Sequence, residues 1–189
     1  MLKVLFLCTG NSCRSQMAEG WARQLKGAVI ESYSAGVETH GLNPKAVQVM
    51  AEAGVDISGH RSKHVRELSD VPFDFVLTVC GNAQESCPVF PGKTKVVHVG
   101  FDDPPRLAKA ARSEEEALNH YRRVRDEIRK FVETLPESLT AGAGYVYFEM
   151  KNILLMFIPA VLQEIKTSHL PPAFTSCFFV PWLAIRTEG

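Results

Sequence analysis

The chain of 189 residues lacks any excess of charge, because 21 Lys and Arg are matched by 21 Asp and Glu. That balance gives no support for nucleic-acid binding or for a role on an anionic membrane surface. Long apolar runs are missing too. The longest, Ile153 to Leu162, is ten residues and contains Pro159, whereas a bilayer crossing needs about 20. The N-terminal apolar run Val4 to Leu7 is too short for a signal peptide. There is no internal repeat and no low-complexity tract. His60, His64 and His98 show no metal-ligand spacing and read as structural or exposed. Five cysteines in such a chain point to catalysis rather than a disulfide scaffold, and so to a reducing, cytoplasmic compartment.

What is present begins with Leu2 to Leu7, which reads as a buried strand, followed by Cys8-Thr9-Gly10-Asn11-Ser12-Cys13-Arg14-Ser15 and then helical spacing from Ser15 to Leu25. A loop between a strand end and a helix N-terminus can curl its N–H groups around a tetrahedral oxyanion. Gly10 permits close backbone approach, and Asn11 can hold a strained turn or a left-handed conformation. The positive field of the helix end and Arg14 should favour the Cys8 thiolate, with Ser15 donating to its sulfur. A cysteine and an arginine six residues apart are weak evidence alone, and a buried core cysteine is the plain alternative. The flanking strand, glycine and helix disfavour that alternative here. Cys13 shares a helical face with Met17 and Trp21 and reads as a small core residue.

Asp102-Asp103-Pro104-Pro105 offers a general acid. A carboxyl beside a bound anion is pushed toward its protonated form, and Pro104 stiffens the loop that would aim Asp103. An ordinary Asp-Pro turn is the competing reading. Phe73 to Val79 reads as a buried strand with Cys80 at its C-terminal end, on the sheet edge where Cys8 also lies. Cys87 follows seven residues later. If the intervening residues are helical they cover roughly 10 Å, and bridging the two sulfurs would need local unwinding. Two unrelated thiols, or a zinc site, are the alternatives; zinc is disfavoured by the spacings.

Strands at about 2–8, 29–34, 73–80 and 95–99 alternate with helical segments, which indicates an α/β fold with a parallel sheet. Gly27 can close the first helix, Pro44 and Gly54 bracket the second, and Ser113 with Glu116 forms a capping box for a long last one. Leu118, Tyr121, Ile128, Val132 and Leu135 supply the apolar stripe of that helix. Residues 1–139 read as one domain and 140–189 as a C-terminal extension. Only six of the 49 residues from 141 onward are Asp, Glu, Lys or Arg. Three readings compete for this tail: a docking segment, a membrane-surface helix, or the product of a shifted reading frame. The last is favoured, with Cys177 an incidental thiol.

The chain resembles the thioredoxin-coupled arsenate reductases built on the low-molecular-weight tyrosine phosphatase fold. The resemblance is carried by residues 8–21, 33–41, 100–104 and 123–128 and by the spacing of Cys80 and Cys87, and covers roughly residues 1–135. It implies a four-stranded parallel sheet flanked by helices in flavodoxin-like order. It also implies that Cys8 attacks arsenate held by Thr9 to Ser15 and Arg14, while Asp103 protonates the departing oxygen. Cys80 would then attack the adduct, release arsenite and leave a Cys8–Cys80 disulfide; Cys87 would displace Cys8, and thioredoxin would reduce the Cys80–Cys87 pair. Two electrons are needed, and a thiol pair supplies two. The chain is expected to act as a monomer without a resident cofactor. Some members bind potassium through positions equivalent to Asn11, Glu19 and Ser34 plus a carboxylate near position 63, where this chain has Lys63. That replacement puts a potassium site in doubt. A phosphatase using Cys8, Arg14 and Asp103 on phosphomonoesters is the runner-up, and a thiol-based arsenic or oxidant sensor is the non-enzymatic alternative.

Overall fold

Strand β1 (Leu2–Cys8) is built from Val4 to Leu7, four side chains with no solvent exposure. Only a strand covered on both faces accommodates such a continuous apolar run. It is central in a parallel sheet with β2 (Ile30–Gly36), β3 (Phe75–Thr78) and β4 (Lys95–His98), in the order β2-β1-β3-β4. This is the flavodoxin-like arrangement expected from the sequence. Chain order reverses between β1 and β3, which opens a crevice beyond their C-terminal ends. The computed structural model describes residues 1–81, 89–90 and 92–140. Cys87 and the extension from residue 141, including Cys177, lie outside the described residues.

Helix α1 (Arg14–Lys26) buries Met17, Ala18, Trp21 and Ala22. Helix α2 (Pro44–Glu52) starts as the sequence indicates: Asn43 Oδ1 accepts from the N–H of Lys45 and Ala46, and Pro44 occupies the first turn. A short helix α3 (Pro104–Ala108) leads to α4 (Glu114–Glu133), whose Leu118, Tyr121, Val124, Ile128 and Val132 join the core. Its cap differs from a reciprocal box. Ser113 accepts from the N–H of Glu116, but the Glu116 carboxylate reaches the N–H of Arg112 instead.

Strands β2 and β3 differ from the sequence reading, and β3 begins at Phe75 instead of Phe73. β2 runs two residues further, to Gly36, because it stays in register with β1 until Gly36 faces Cys8. β3 ends at Thr78 instead of Cys80, because the β1 ladder beside it has ended at Leu7. Cys80 therefore stands two residues past the ladder, in the crevice region, rather than within the sheet.

Candidate active site

The loop from Cys8 to Ser15 is shaped by where its carbonyl groups go. Val37 N–H donates to Cys8 O (3.2 Å), Glu38 N–H to Thr9 O (2.8 Å), His40 N–H to Gly10 O (3.0 Å) and Asn43 N–H to Ser12 O (2.9 Å). The Ser62 hydroxyl donates to Asn11 O (2.7 Å). Five successive carbonyls thus point outward to a surrounding strap. Across a trans peptide the N–H opposes the carbonyl, so the N–H groups of residues 9–13 turn inward. The strap fits because position 36 is glycine: a Cβ there would lie 2.3 Å from Glu38 O and 2.6 Å from Thr9 O.

Asn11 sits at φ 44°, the left-handed conformation anticipated for it. From there its N–H points at the Cys8 sulfur at 3.1 Å. Its side-chain amide donates to Ser15 Oγ (2.9 Å), which lies 2.8 Å from that sulfur. Since the Ser15 oxygen is already accepting, its single hydrogen is free to donate to sulfur. Helix α1 has no side-chain cap at Cys13 and no acidic residue in its first turn. Its positive end is therefore left for an anion. Thr9, Gly10, Ser12 and Cys13 contribute backbone to this cradle, while the Cys13 side chain is buried in the core as expected. Burial pushes the Cys13 thiol far up, which keeps it protonated.

Arg14 is engaged by the neighbouring loop. Its Nη1 donates to Phe101 O (3.1 Å) and its Nη2 pairs with Asp103 Oδ1 (3.2 Å). One expectation is corrected, that the helix field and Arg14 would depress the Cys8 pKa. The Cys8 thiol is raised, first by burial and then by nearby Cys80, against the lowering effects of the Ser15 hydroxyl and the Asn11 and Ser15 N–H groups. The guanidinium that was to offset burial is spent on Asp103. The same pairing separates the two neighbouring aspartates, since Asp102 faces outward to Arg123 at 2.8 Å.

Cys80 is buried, with its sulfur 3.4 Å from the Thr9 hydroxyl. The second thiol therefore borders the loop that carries the first. Asn11, Glu19, Ser34 and Lys63 also come together. Ser34 Oγ donates to Glu19 Oε2, and Lys63 Nζ lies 3.4 Å from the same oxygen while its backbone N–H donates to Asn11 Oδ1 at 2.7 Å. Arg23 Nη2 lies 2.6 Å from the other Glu19 oxygen, so two protein cations flank this carboxylate. Among the described residues, no group of three or more His, Cys, Asp or Glu side chains could hold a metal ion. His60, His64 and His98 bond to Gln16 and Arg23, to the turn at Val65–Leu68, and to Thr78 respectively.

The roles of Gln16, His60, Ser62 and the 37–43 strap were not legible as site features. The only signal was the Gly36-Val37-Glu38 stretch following a strand.

Known proteins are similar to this chain in sequence and in fold. The low molecular weight phosphotyrosine protein phosphatase family matches residues 3–143. A protein named arsenate reductase from Halalkalibacterium halodurans is 49% identical over 135 residues, 71% of this chain and 95% of that protein. One of the same name from Bacillus subtilis is 51% identical over 137 residues, covering 69% and 95%. Among solved structures, an arsenate reductase in the oxidized state has a TM-score of 0.60 at 32% identity, covering 71% of this chain and 96% of that one. A low molecular weight protein tyrosine phosphatase from T. tengcongensis gives 0.56 at 29% identity, covering 73% and 99%. A match running from β1 to beyond α4 makes this chain a member of the low molecular weight phosphotyrosine protein phosphatase family.

Proposed function

We propose that the chain is an arsenate reductase working through a relay of Cys8, Cys80 and Cys87 and regenerated by thioredoxin. The observation that carries this reading is the buried Cys80 sulfur 3.4 Å from the Thr9 hydroxyl of the anion loop, a thiol that phosphate-ester hydrolysis does not need. The half-identical relatives named arsenate reductase support it.

The inward N–H groups of residues 9–13 and the N-terminus of α1 hold the arsenate oxygens. Arg14 joins them by exchanging Asp103 for the substrate. Cys8 attacks arsenic as the thiolate, its proton having passed to the bound arsenate. An S–As bond forms, an As–O bond breaks, and Asp103, released from Arg14 and protonated, gives its proton to the departing oxygen. The Cys80 thiolate next attacks the Cys8 sulfur. An S–S bond forms, the S–As bond breaks, and its electron pair stays on arsenic, which leaves as arsenite. Cys87 then displaces Cys8 from Cys80, and thioredoxin reduces the resulting Cys80–Cys87 disulfide. The Lys63 ammonium stands beside Glu19 behind the loop, where a bound cation would otherwise sit, so no potassium is required. A monomer in a reducing cytoplasm, with arsenate and thioredoxin as partners and no nucleic acid, completes the reading.

Phosphomonoester hydrolysis is the second reading, favoured by the shared loop, Arg14 and Asp103 and by the family itself. Side-by-side steady-state rates decide between them: thioredoxin-linked arsenate reduction against aryl phosphate hydrolysis. Reduction with multiple turnovers and at most weak hydrolysis supports the reductase. Efficient hydrolysis with no thioredoxin-linked turnover overturns it.

A further inference from the structure

A chain of polar contacts, buried at the nucleophile and reaching the surface at Arg23, runs from Cys8 to a histidine that no step above uses. The Gln16 side chain is fully buried in α1. Its Nε2 lies within reach of three oxygens: Asn11 Oδ1 at 2.9 Å, Asn11 O at 3.1 Å and Arg61 O at 3.0 Å. Its Oε1 faces His60 Nδ1 at 2.9 Å, and His60 Nε2 faces Arg23 Nη1 at 3.1 Å. Arginine carries donors only. His60 Nε2 must therefore accept, which leaves the ring proton on Nδ1 to donate to Gln16 Oε1. That bond fixes which end of the Gln16 amide is oxygen and turns its NH2 group onto Asn11.

We infer that His60 is a positioning residue for the nucleophile: as the neutral Nδ1–H tautomer it orients Gln16, and Gln16 holds Asn11 in the left-handed conformation that aims its N–H at the Cys8 sulfur. The conformation needs holding, because a non-glycine residue at positive φ is unfavourable on its own. Asn11 receives Gln16 on both its backbone and side-chain oxygens, so one amide grips both ends of the residue.

Protonation of His60 breaks the arrangement. It would set an Nε2–H donor against the Arg23 donor 3.1 Å away, and one of the two must move. The charged groups facing His60 are Glu19 and Asp56, which favour its protonation, and Arg23 and Lys63, which oppose it; burial, the largest influence, lowers its pKa. The neutral form therefore prevails at neutral pH, and the lock opens only on acidification below the ordinary histidine range. The inference rests on Cys8 being the nucleophile, but not on any later step of the relay.

The test compares full-length wild type with His60→Ala, His60→Asn, Gln16→Ala and the double His60→Ala/Gln16→Ala chain. Iodoacetamide labelling of Cys8 is followed by peptide mass, so the other thiols do not interfere and arsenate turnover is not needed. Loss of one positioning hydrogen bond slows Cys8 by about fivefold in His60→Ala and in Gln16→Ala. The double variant is no slower than either single one, because both act through one contact. His60→Asn, whose amide nitrogen falls where Nδ1 stands, recovers most of the rate. On acidification the thiolate fraction alone accounts for about tenfold per pH unit. Wild type loses a further factor of about five as His60 protonates, and His60→Asn does not. A wild-type rate in His60→Ala overturns the inference, as do additive single effects or a folded His60→Asn chain as slow as His60→Ala.

Discussion

Ser15→Ala probes the Cys8 environment most sharply, because one buried oxygen has two tasks. The hydroxyl accepts from Asn11 Nδ2 at 2.9 Å and lies 2.8 Å from the Cys8 sulfur, to which its hydrogen is directed. A hydrogen bond to a charged group is worth about 1.5–3 kcal/mol. Each pKa unit corresponds to about 1.4 kcal/mol, so the thiol should rise by roughly one to two units. Burial already raises it, and removing a lowering influence moves it further the same way. The thiolate fraction near neutral pH then falls by about 10–100-fold. A more basic thiolate is intrinsically more reactive, with a Brønsted slope of about 0.4–0.5, so roughly half of that loss on a logarithmic scale is recovered. Cys8 alkylation should therefore slow by about 3–10-fold at neutral pH, with its pH midpoint displaced upward. The stranded Asn11 amide also costs about 1–3 kcal/mol of stability, visible as a lower Tm. Unchanged alkylation rate and midpoint in a folded Ser15→Ala chain would refute the assigned direction of the Ser15 hydrogen bond.

Asp103→Asn should lower arsenate turnover by about 100-fold or more without slowing Cys8 alkylation, since it frees Arg14 from the ion pair at 3.2 Å; parallel turnover and labelling assays read the two effects separately. Asp102→Asn, which loses only an exposed pairing with Arg123, should cost within about 1 kcal/mol and keep near wild-type turnover. Gly36→Ala places a Cβ against two backbone oxygens and the Asn11 nitrogen, and chemical denaturation should show a loss of about 1–3 kcal/mol. Replacing sodium by potassium at constant ionic strength should leave Tm and turnover unchanged, because the Lys63 ammonium lies on Glu19. A potassium-dependent rise in either would contradict that assignment.

The parts of the molecule written in short-range pattern were readable in the sequence. The four-residue apolar run of β1 needs a doubly covered strand, the glycine-containing loop needs a helix behind it, and the stripe of α4 needs a core. Cys80 could be placed near Cys8 because parallel strands bring their C-terminal ends to one edge. Tertiary effects were not readable. The strap from Val37 to Asn43 is held by backbone groups, which leave no trace in residue type beyond Gly36. Gln16 and His60 meet across 44 positions of sequence, outside any local period. The Cys8 thiol differs from expectation for the same reason: a strand-end position shows the helix field but not the depth of burial. Arg14 pairs with Asp103, and only the packed loops reveal that.

The central claim is that three sulfurs act in succession, and the most direct measurement is a disulfide map after arsenate is added once, without thioredoxin. Full-length chain is treated with excess arsenate, alkylated, digested and analysed by mass. One arsenite released per chain, a Cys80–Cys87 disulfide and a free, alkylated Cys8 are the predicted products. Arsenite release with Cys80 and Cys87 both still reduced would contradict the relay.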